Sequence, residues 1–251
     1  SLLAHAIMGI LPENSKTKGS IKYYNDELNE KYLRKVRGKD IAFIPQSVDF
    51  LDPLMKVGKQ VVGINGNKER QKEVFKKYNL DDKVAEMYPF QLSGGMARRV
   101  LIATAVMNEA KLIIADEPTP GLNLELAMET LNNFREIADS GCGVLLITHD
   151  VDLALNVADR IAVFYSGTIV EIAQVEDFIK GKDALRHPYS KAFIDALPQN
   201  KFKELPGYQP YAGNLPKGCL FRDRCSLKTD ECCMEIKMRK VRDGEVSINA
   251  T

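Results

Sequence analysis

Between Gly94 and Tyr165 helix-period and strand-period segments alternate with little chain between them. Helical patterns span Gly94–Glu109, Leu124–Ser140 and Val151–Ala158, and strands read at Lys111–Ala115, Gly143–Ile147 and Arg160–Tyr165. Strands separated by helices of this length become neighbours through crossover connections, which makes the sheet parallel and covers both its faces. The fold class is therefore α/β, and the apolar runs around Lys111–Ala115 and Val144–Ile147 are expected as buried strands.

On the N-terminal side, Leu2, Leu3, Ala6, Ile7, Ile10 and Leu11 keep a helical period that stops at Pro12. Short strands are expected at Gly19–Tyr24 and Ile41–Pro45, with a charged helix near Glu30–Val36 between them. The stretch from Gln46 to about Gln91 is polar and mostly helical, with a turn signal at Asn65-Gly66. After Gly181 the texture changes, because Pro188, Pro198, Pro206, Pro210 and Pro216 cut the chain into short pieces. A boundary is expected there. The 251 residues, 45% hydrophobic, suffice for one sizeable core and a small appendage. A net charge of +1 removes any global electrostatic case for nucleic acid or an anionic membrane surface. No apolar run reaches the roughly 18 residues of a membrane-spanning helix, and Ser1 opens directly into an amphipathic segment without a visible signal peptide. Any membrane role is expected to be peripheral.

The chemistry sits where strands end. Leu112-Ile113-Ile114-Ala115-Asp116-Glu117-Pro118 is an apolar run that delivers two carboxylates at the ligand-binding edge of an α/β sheet. A Mg²⁺–nucleotide site uses one such acid for the metal and a second to orient attacking water; Asp116 suits the first task and Glu117 the second. The plain alternative is a strand ending in a solvated turn. Leu92-Ser93-Gly94-Gly95-Met96 precedes a helix, so backbone N–H groups and the Ser93 hydroxyl are free to meet phosphate. An ordinary N-cap serine with two glycines has the same appearance. His149 follows the strand Gly143–Ile147 and Gln46 follows Ile41–Pro45, which brings an imidazole and an amide to the same edge.

Taken in order, these motifs resemble those of ABC-transporter ATPases, from Ser1 to about Glu171. Gln46 resembles the Q-loop, Leu92–Met96 the signature loop, Leu112–Glu117 the Walker B strand, Pro118–Asn123 the D-loop and His149 the switch histidine. The resemblance implies a P-loop NTPase-like domain with its core at 1–46 and 92–181, a helical subdomain at 47–91 and a C-terminal extension at 182–251. It implies a head-to-tail dimer in which Ser93, Gly94 and Gly95 of one subunit close over ATP held by the other. Glu117 would polarise water, His149 would stabilise the γ-phosphate, and Ser1, Gln46 and Asp116 would hold Mg²⁺. The family's glycine-rich phosphate loop would lie upstream of Ser1, which then takes the place of its Mg²⁺-ligating hydroxyl; a cloning remnant at Ser1 is the alternative. Read as an N-terminally truncated domain, the chain is expected to turn over ATP barely at all. Met96 replaces the commoner Gln, as in the peptide and nickel importers, Asn123 stands where Asp is usual, and the helical segment looks short.

Five cysteines are present, four of them crowded at Cys219, Cys225, Cys232 and Cys233. With no secretory features, that crowding favours metal or cluster ligation over disulfides. His187-Pro188-Tyr189-Ser190 and Leu215–Cys225 resemble the extension of oligopeptide, dipeptide and nickel importer ATPases. In some of those proteins the cysteines hold a [4Fe–4S] cluster, but the last cysteine, near Ser247-Ile248-Asn249, is missing here. A cluster, a Zn²⁺ site and reduced buried thiols all stay open. The resemblance implies an ATP-hydrolysing subunit at the cytoplasmic face of the membrane. Its partners would be a second ATPase subunit (identical or not), two permease subunits and an extracytoplasmic solute-binding protein, with no nucleic acid. A soluble ABC ATPase without a transporter, or a non-hydrolysing partner subunit, are the alternatives.

Overall fold

The computed structural model describes residues 1–63, 66–200 and 202–247. Asn65 of the expected Asn65-Gly66 turn, and Ile248 and Asn249, lie outside them. The chain divides into two compact units, Ser1–Leu153 and Ala154–Thr251.

In the first unit Ser1 caps α1 (Leu2–Met8), its Oγ accepting from the Ala4 N–H at 3.3 Å, and Gly9 ends the helix in the left-handed region. β1 (Lys22–Tyr23) and β2 (Asp26–Glu27) form a small hairpin where one strand was expected. Then follow α2 (Glu30–Val36), β3 (Ile41–Ile44), α3 (Val57–Val62), α4 (Lys68–Lys77), α5 (Gly94–Val106), β4 (Leu112–Asp116), α6 (Leu124–Asp139), β5 (Gly143–Ile147) and the first residues of α7 (Val151–Val157), which runs on into the second unit. Among the described residues between Gln46 and Gln91, α3, α4 and short 3-10 turns make up most of the chain, as its polar pattern predicts. Within it α3 approaches the 3-10 turn Asp82–Glu86 so closely that a Cβ on Gly58 would stand 2.8 Å from the Ala85 carbonyl oxygen.

β3, β4 and β5 form a parallel sheet in that order. Ile44 pairs with Ala115 and Asp116 with Ile147, so the three strands exit level with one another. β4 is central and its residues Ile113–Asp116 are buried. β5 departs from expectation: Val144–Ile147 are only half-buried. Its one strand partner among the described residues is β4, so one edge lacks a neighbour. Ala4 and Met8 of α1 pack with Val36, Ile41 and Ile114 into one core cluster. α5 packs on α3, α4 and β3 and is buried nearly all round from Ala97 to Ala105.

The second unit contains β6 (Arg160–Tyr165), β7 (Thr168–Gln174), α8 (Val175–Ile179), α9 (Pro188–Asp195), β8 (Met238–Val241) and β9 (Gly244–Ser247). Its sheet runs β6-β7-β9-β8 and is antiparallel throughout. The expectation that Arg160–Tyr165 joins the parallel sheet is therefore corrected. The reason is local. Ser166 and Gly167 both have positive φ, 49° and 81°, the backbone of a two-residue hairpin turn, and it folds β7 straight back along β6. Val163, Tyr165, Val170, Ala173, Phe178, Leu185, Ile194 and Phe221 make the core of this unit, with Tyr165 and Phe221 edge to face at 5.3 Å.

A buried polar knot ties its loops together. Glu171 of β7 is fully buried; Oε1 accepts from the Arg186 N–H and Oε2 from the His187 N–H, both at 2.9 Å. The Arg186 guanidinium lies 3.4 Å from Glu171 and 2.8 Å from Asp177, and its Nε donates to the Val241 carbonyl at 2.7 Å. His187 is buried too, and desolvation pushes its ring down to about 4. Its Nδ1 accepts from the Tyr189 N–H and so caps α9.

Candidate active site

The level exit of the three parallel strands brings their next residues together. Beyond Asp116 the ladder continues by one bond, the Glu117 N–H donating to the Ile147 carbonyl at 2.8 Å. Glu117 then turns with φ 49°, an uncommon conformation for a side chain with a Cβ. Strain of this kind persists where surrounding contacts over-determine it and gathers at functional positions. Here those contacts are visible. Glu117 Oε1 lies 2.8 Å from His149 Nδ1, and the Thr148 hydroxyl is 3.5 Å from Oε2. The Glu117 side chain is largely buried, at 15% exposure, while His149 at 81% leans over it from solvent.

The hydrogen bond to Glu117, and then its charge, raise the His149 pKa. A raised folded value means that the pairing is fully present below the ordinary imidazole value and is lost as pH rises through the raised one. In an NMR titration the His149 ring is expected to show a midpoint above that of a free imidazole and to return to it in Glu117→Gln. Equal midpoints in the two proteins would show that the contact does not form in solution.

Asp116 is buried, and its Oδ2 has no hydrogen-bond partner; the Ser1 amino group is in contact with it. A buried carboxylate at a strand exit is the hard oxygen donor that Mg²⁺ takes, and what faces Oδ2 here is already a cation, the Ser1 ammonium. The residues present thus fit the ion. Gln46 is exposed and follows Pro45 at the exit of β3, on the strand next to Asp116.

The structure brings Ser1, Asp116, Glu117 and His149 together and leaves the other expected residues elsewhere. Ser93 caps α5, its Oγ accepting from the Met96 N–H at 3.3 Å, and both Ser93 and Gly94 are exposed. A Cβ on Gly95 would meet Leu122 at 3.7 Å, so this turn lies along the Pro118–Asn123 loop. Among the described residues no hydrogen bond or ion pair joins Ser93, Gly94 or Gly95 to Asp116, Glu117 or His149. The C-terminal cysteines form no disulfide. Among the described residues no three His, Cys, Asp or Glu side chains are grouped to hold a metal ion. Cys232 is buried and its neighbour Cys233 exposed, because adjacent side chains in this 3-10 turn point apart. Cys219 and Cys225 pack against the core of the second unit, and burial pushes both thiols up. Both also feel Cys232 electrostatically, so these three thiols lie near one another.

Sequence reasoning passed over Arg98. It is buried one turn into α5, with Nη1 donating to the Pro45 carbonyl at 3.0 Å. The only signal was the pair Arg98-Arg99 inside an otherwise apolar helix.

Residues 1–120 match the family described as ABC transporter, and residues 170–232 match the oligopeptide/dipeptide transporter C-terminal region. The oligopeptide transport ATP-binding protein OppD of Haemophilus influenzae is 31% identical, over 98% of this chain and 82% of that protein. The dipeptide transport ATP-binding protein DppD of the same organism is 32% identical, over 92% of this chain and 76% of its own. Among solved structures, the dimeric ATP-binding cassette MJ0796 in a post-hydrolysis state with ADP and Pi superposes with a TM-score of 0.61 at 25% identity. That match covers 69% of this chain and 79% of the cassette.

Proposed function

The chain belongs to the ABC-transporter ATP-binding proteins of the oligopeptide and dipeptide type, and on that premise we propose that it couples ATP hydrolysis at the Glu117–His149 edge to peptide import. The observation that carries this reading is the strained Glu117, held by His149 at 2.8 Å next to the buried carboxylate of Asp116. In it residues 1–46 and 92–181 form the hydrolytic core, 47–91 the helical part and 182–251 the extension.

Glu117 accepts the proton of the attacking water, since its carboxylate is the largely buried base at the strand exit. His149, bonded to it and open to solvent, fixes its orientation and reaches toward the phosphate side. Ser1, Asp116 and the Gln46 amide oxygen would hold Mg²⁺, which supplies charge neutralisation for the phosphates when bound. The exposed N-terminus of α5, with Ser93, Gly94 and Gly95, points this subunit's phosphate-binding N–H groups outward, as an opposing ATPase subunit requires.

Among the described residues no helix is long and apolar enough to cross a membrane. We place the subunit at the cytoplasmic face, paired with a second ATPase subunit on two permeases that receive peptide from an extracytoplasmic solute-binding protein. The test is reconstitution, with those permeases and the binding protein in proteoliposomes, of a chain that also carries a phosphate loop ahead of Ser1; the chain beginning at Ser1 is expected to turn over ATP barely at all. ATP-dependent accumulation of a labelled oligopeptide is expected, together with peptide-stimulated ATP turnover. Turnover indifferent to the permeases, or accumulation of a metal ion and no peptide, would overturn the assignment.

A further inference from the structure

α5 opens with two arginines whose surroundings differ. Arg99 is well supplied: Nη1 donates to the Asn79 and Tyr78 carbonyls at 2.6 and 3.2 Å, and Nε to the Gly95 carbonyl at 3.3 Å. It ties the end of α4 to the start of α5, and that accounts for it.

Arg98 is not so easily accounted for. It is 7% exposed, its Nη1 donates only to the neutral Pro45 carbonyl, and its Nε is buried without a partner. A buried cation is costly unless an opposite charge compensates it. Burial lowers the Arg98 pKa, and the charge of Glu117 offsets that only in part. Three and four positions earlier on the same helix stand Gly95 and Gly94, so Arg98 shares their face. One residue beyond its acceptor stands Gln46. The side chain therefore links α5, one turn beyond the Ser93–Gly95 turn, to the last carbonyl before Gln46.

We propose that Arg98 is a positioning residue for hydrolysis, a buried cationic strut that fixes the Ser93–Gly95 turn of α5 relative to the Gln46 strand end through the Pro45 carbonyl. This rests on the proposed hydrolytic role of the strand edge. A strut of this kind makes the phosphate-facing turn and the Gln46 exit move as one body. Losing it misplaces groups that act on the reacting phosphate while leaving the remainder of nucleotide recognition alone. The signature is a fall in kcat without a matching change in KM.

The test uses the assembled importer with Arg98→Lys, Arg98→Gln and Arg98→Met, turnover being counted per bound nucleotide so that misfolded protein drops out. Arg98→Met is expected to lower kcat roughly 10- to 100-fold with KM for ATP within about twofold, as a small misplacement of reacting groups does. Arg98→Lys, which keeps charge and donor, should recover most of the rate. Arg98→Gln, which keeps only a donor, should recover less. In the Glu117→Gln background, where turnover is off, adding Arg98→Met should shorten the lifetime of the ATP-held dimer. Parental kcat in Arg98→Met overturns the strut, as does a loss that disappears once turnover is counted per bound nucleotide. If Glu117→Gln by itself keeps the parental rate, the hydrolytic reading of the edge fails instead, and the two failures are thereby told apart.

Discussion

Glu117→Gln is expected to cut ATP turnover of the assembled importer by roughly 10²- to 10⁴-fold, the range a positioned general base contributes. The amide has the volume of the carboxylate, so it fits the same strained turn at φ 49° and stays within reach of His149. What it loses is the capacity to accept a proton from water. Because binding does not require that step, nucleotide should still be held, and the ATP–Mg²⁺ dimer should persist in size-exclusion chromatography where the parental protein's dimer decays. Glu117→Ala is expected to be inactive as well but to release His149, so only the Gln variant separates proton transfer from scaffolding. Turnover at the parental rate in Glu117→Gln would remove Glu117 from the mechanism.

Arg186→Ala is expected to destabilise the chain by about 3–5 kcal/mol, the cost of breaking one side of a buried ion pair. Glu171 would remain fully buried with its charge opposed by backbone N–H groups alone, and the Val241 carbonyl and Asp177 would each lose a donor. Arg186→Lys should not restore stability, because one ammonium cannot reach Glu171, Asp177 and Val241 together. Urea denaturation followed by circular dichroism reads the loss; a midpoint within error of the parental one would show that the knot is ornamental. The same region gives an acid response. His187 is held neutral by burial, with its pKa lowered to about 4, so protonation favours the unfolded chain. Stability is full above the ordinary imidazole value and declines as pH falls from there towards 4, by about 3 kcal/mol at 1.36 kcal/mol per unit. His187→Asn, which keeps a cap acceptor for α9 and does not titrate, should flatten that decline.

Much of the site was written in local order. The pattern read Lys111–Ala115 as a buried strand, which the structure has at Leu112–Asp116, and a strand ending in two acids presents them at its carboxyl edge, so Asp116 and Glu117 were candidates before any contact was known. His149 followed from the same rule applied to Gly143–Ile147, a strand found with the bounds that its pattern suggests. The second sheet was less legible. Arg160–Tyr165 has the right period for a strand, but period says nothing about which neighbour it takes; the positive φ of Ser166 and Gly167 decides that, and Ser is an uncommon residue there. Met238–Val241 was missed because each of its residues is exposed, so it carries no apolar alternation to detect.

The cysteines and Arg98 mark the boundary between the two kinds of information. Spacing brought Cys219, Cys225, Cys232 and Cys233 together on the page, yet whether thiols converge depends on side-chain direction at each turn, and Cys232 and Cys233 diverge. Arg98 looked like an ordinary helix residue because the residues that give it meaning, Pro45 and Glu117, lie far away along the chain. By itself the sequence determined the parallel α/β core, the strand-edge acids and the family, since these rest on periodicity and motif order, which are properties of neighbouring residues. Only the tertiary structure decided the antiparallel second sheet, the partner of Glu117, which of Cys232 and Cys233 is buried, and the burial of Arg98. Those depend on which distant segments meet, and burial energies arise only after the meeting has taken place.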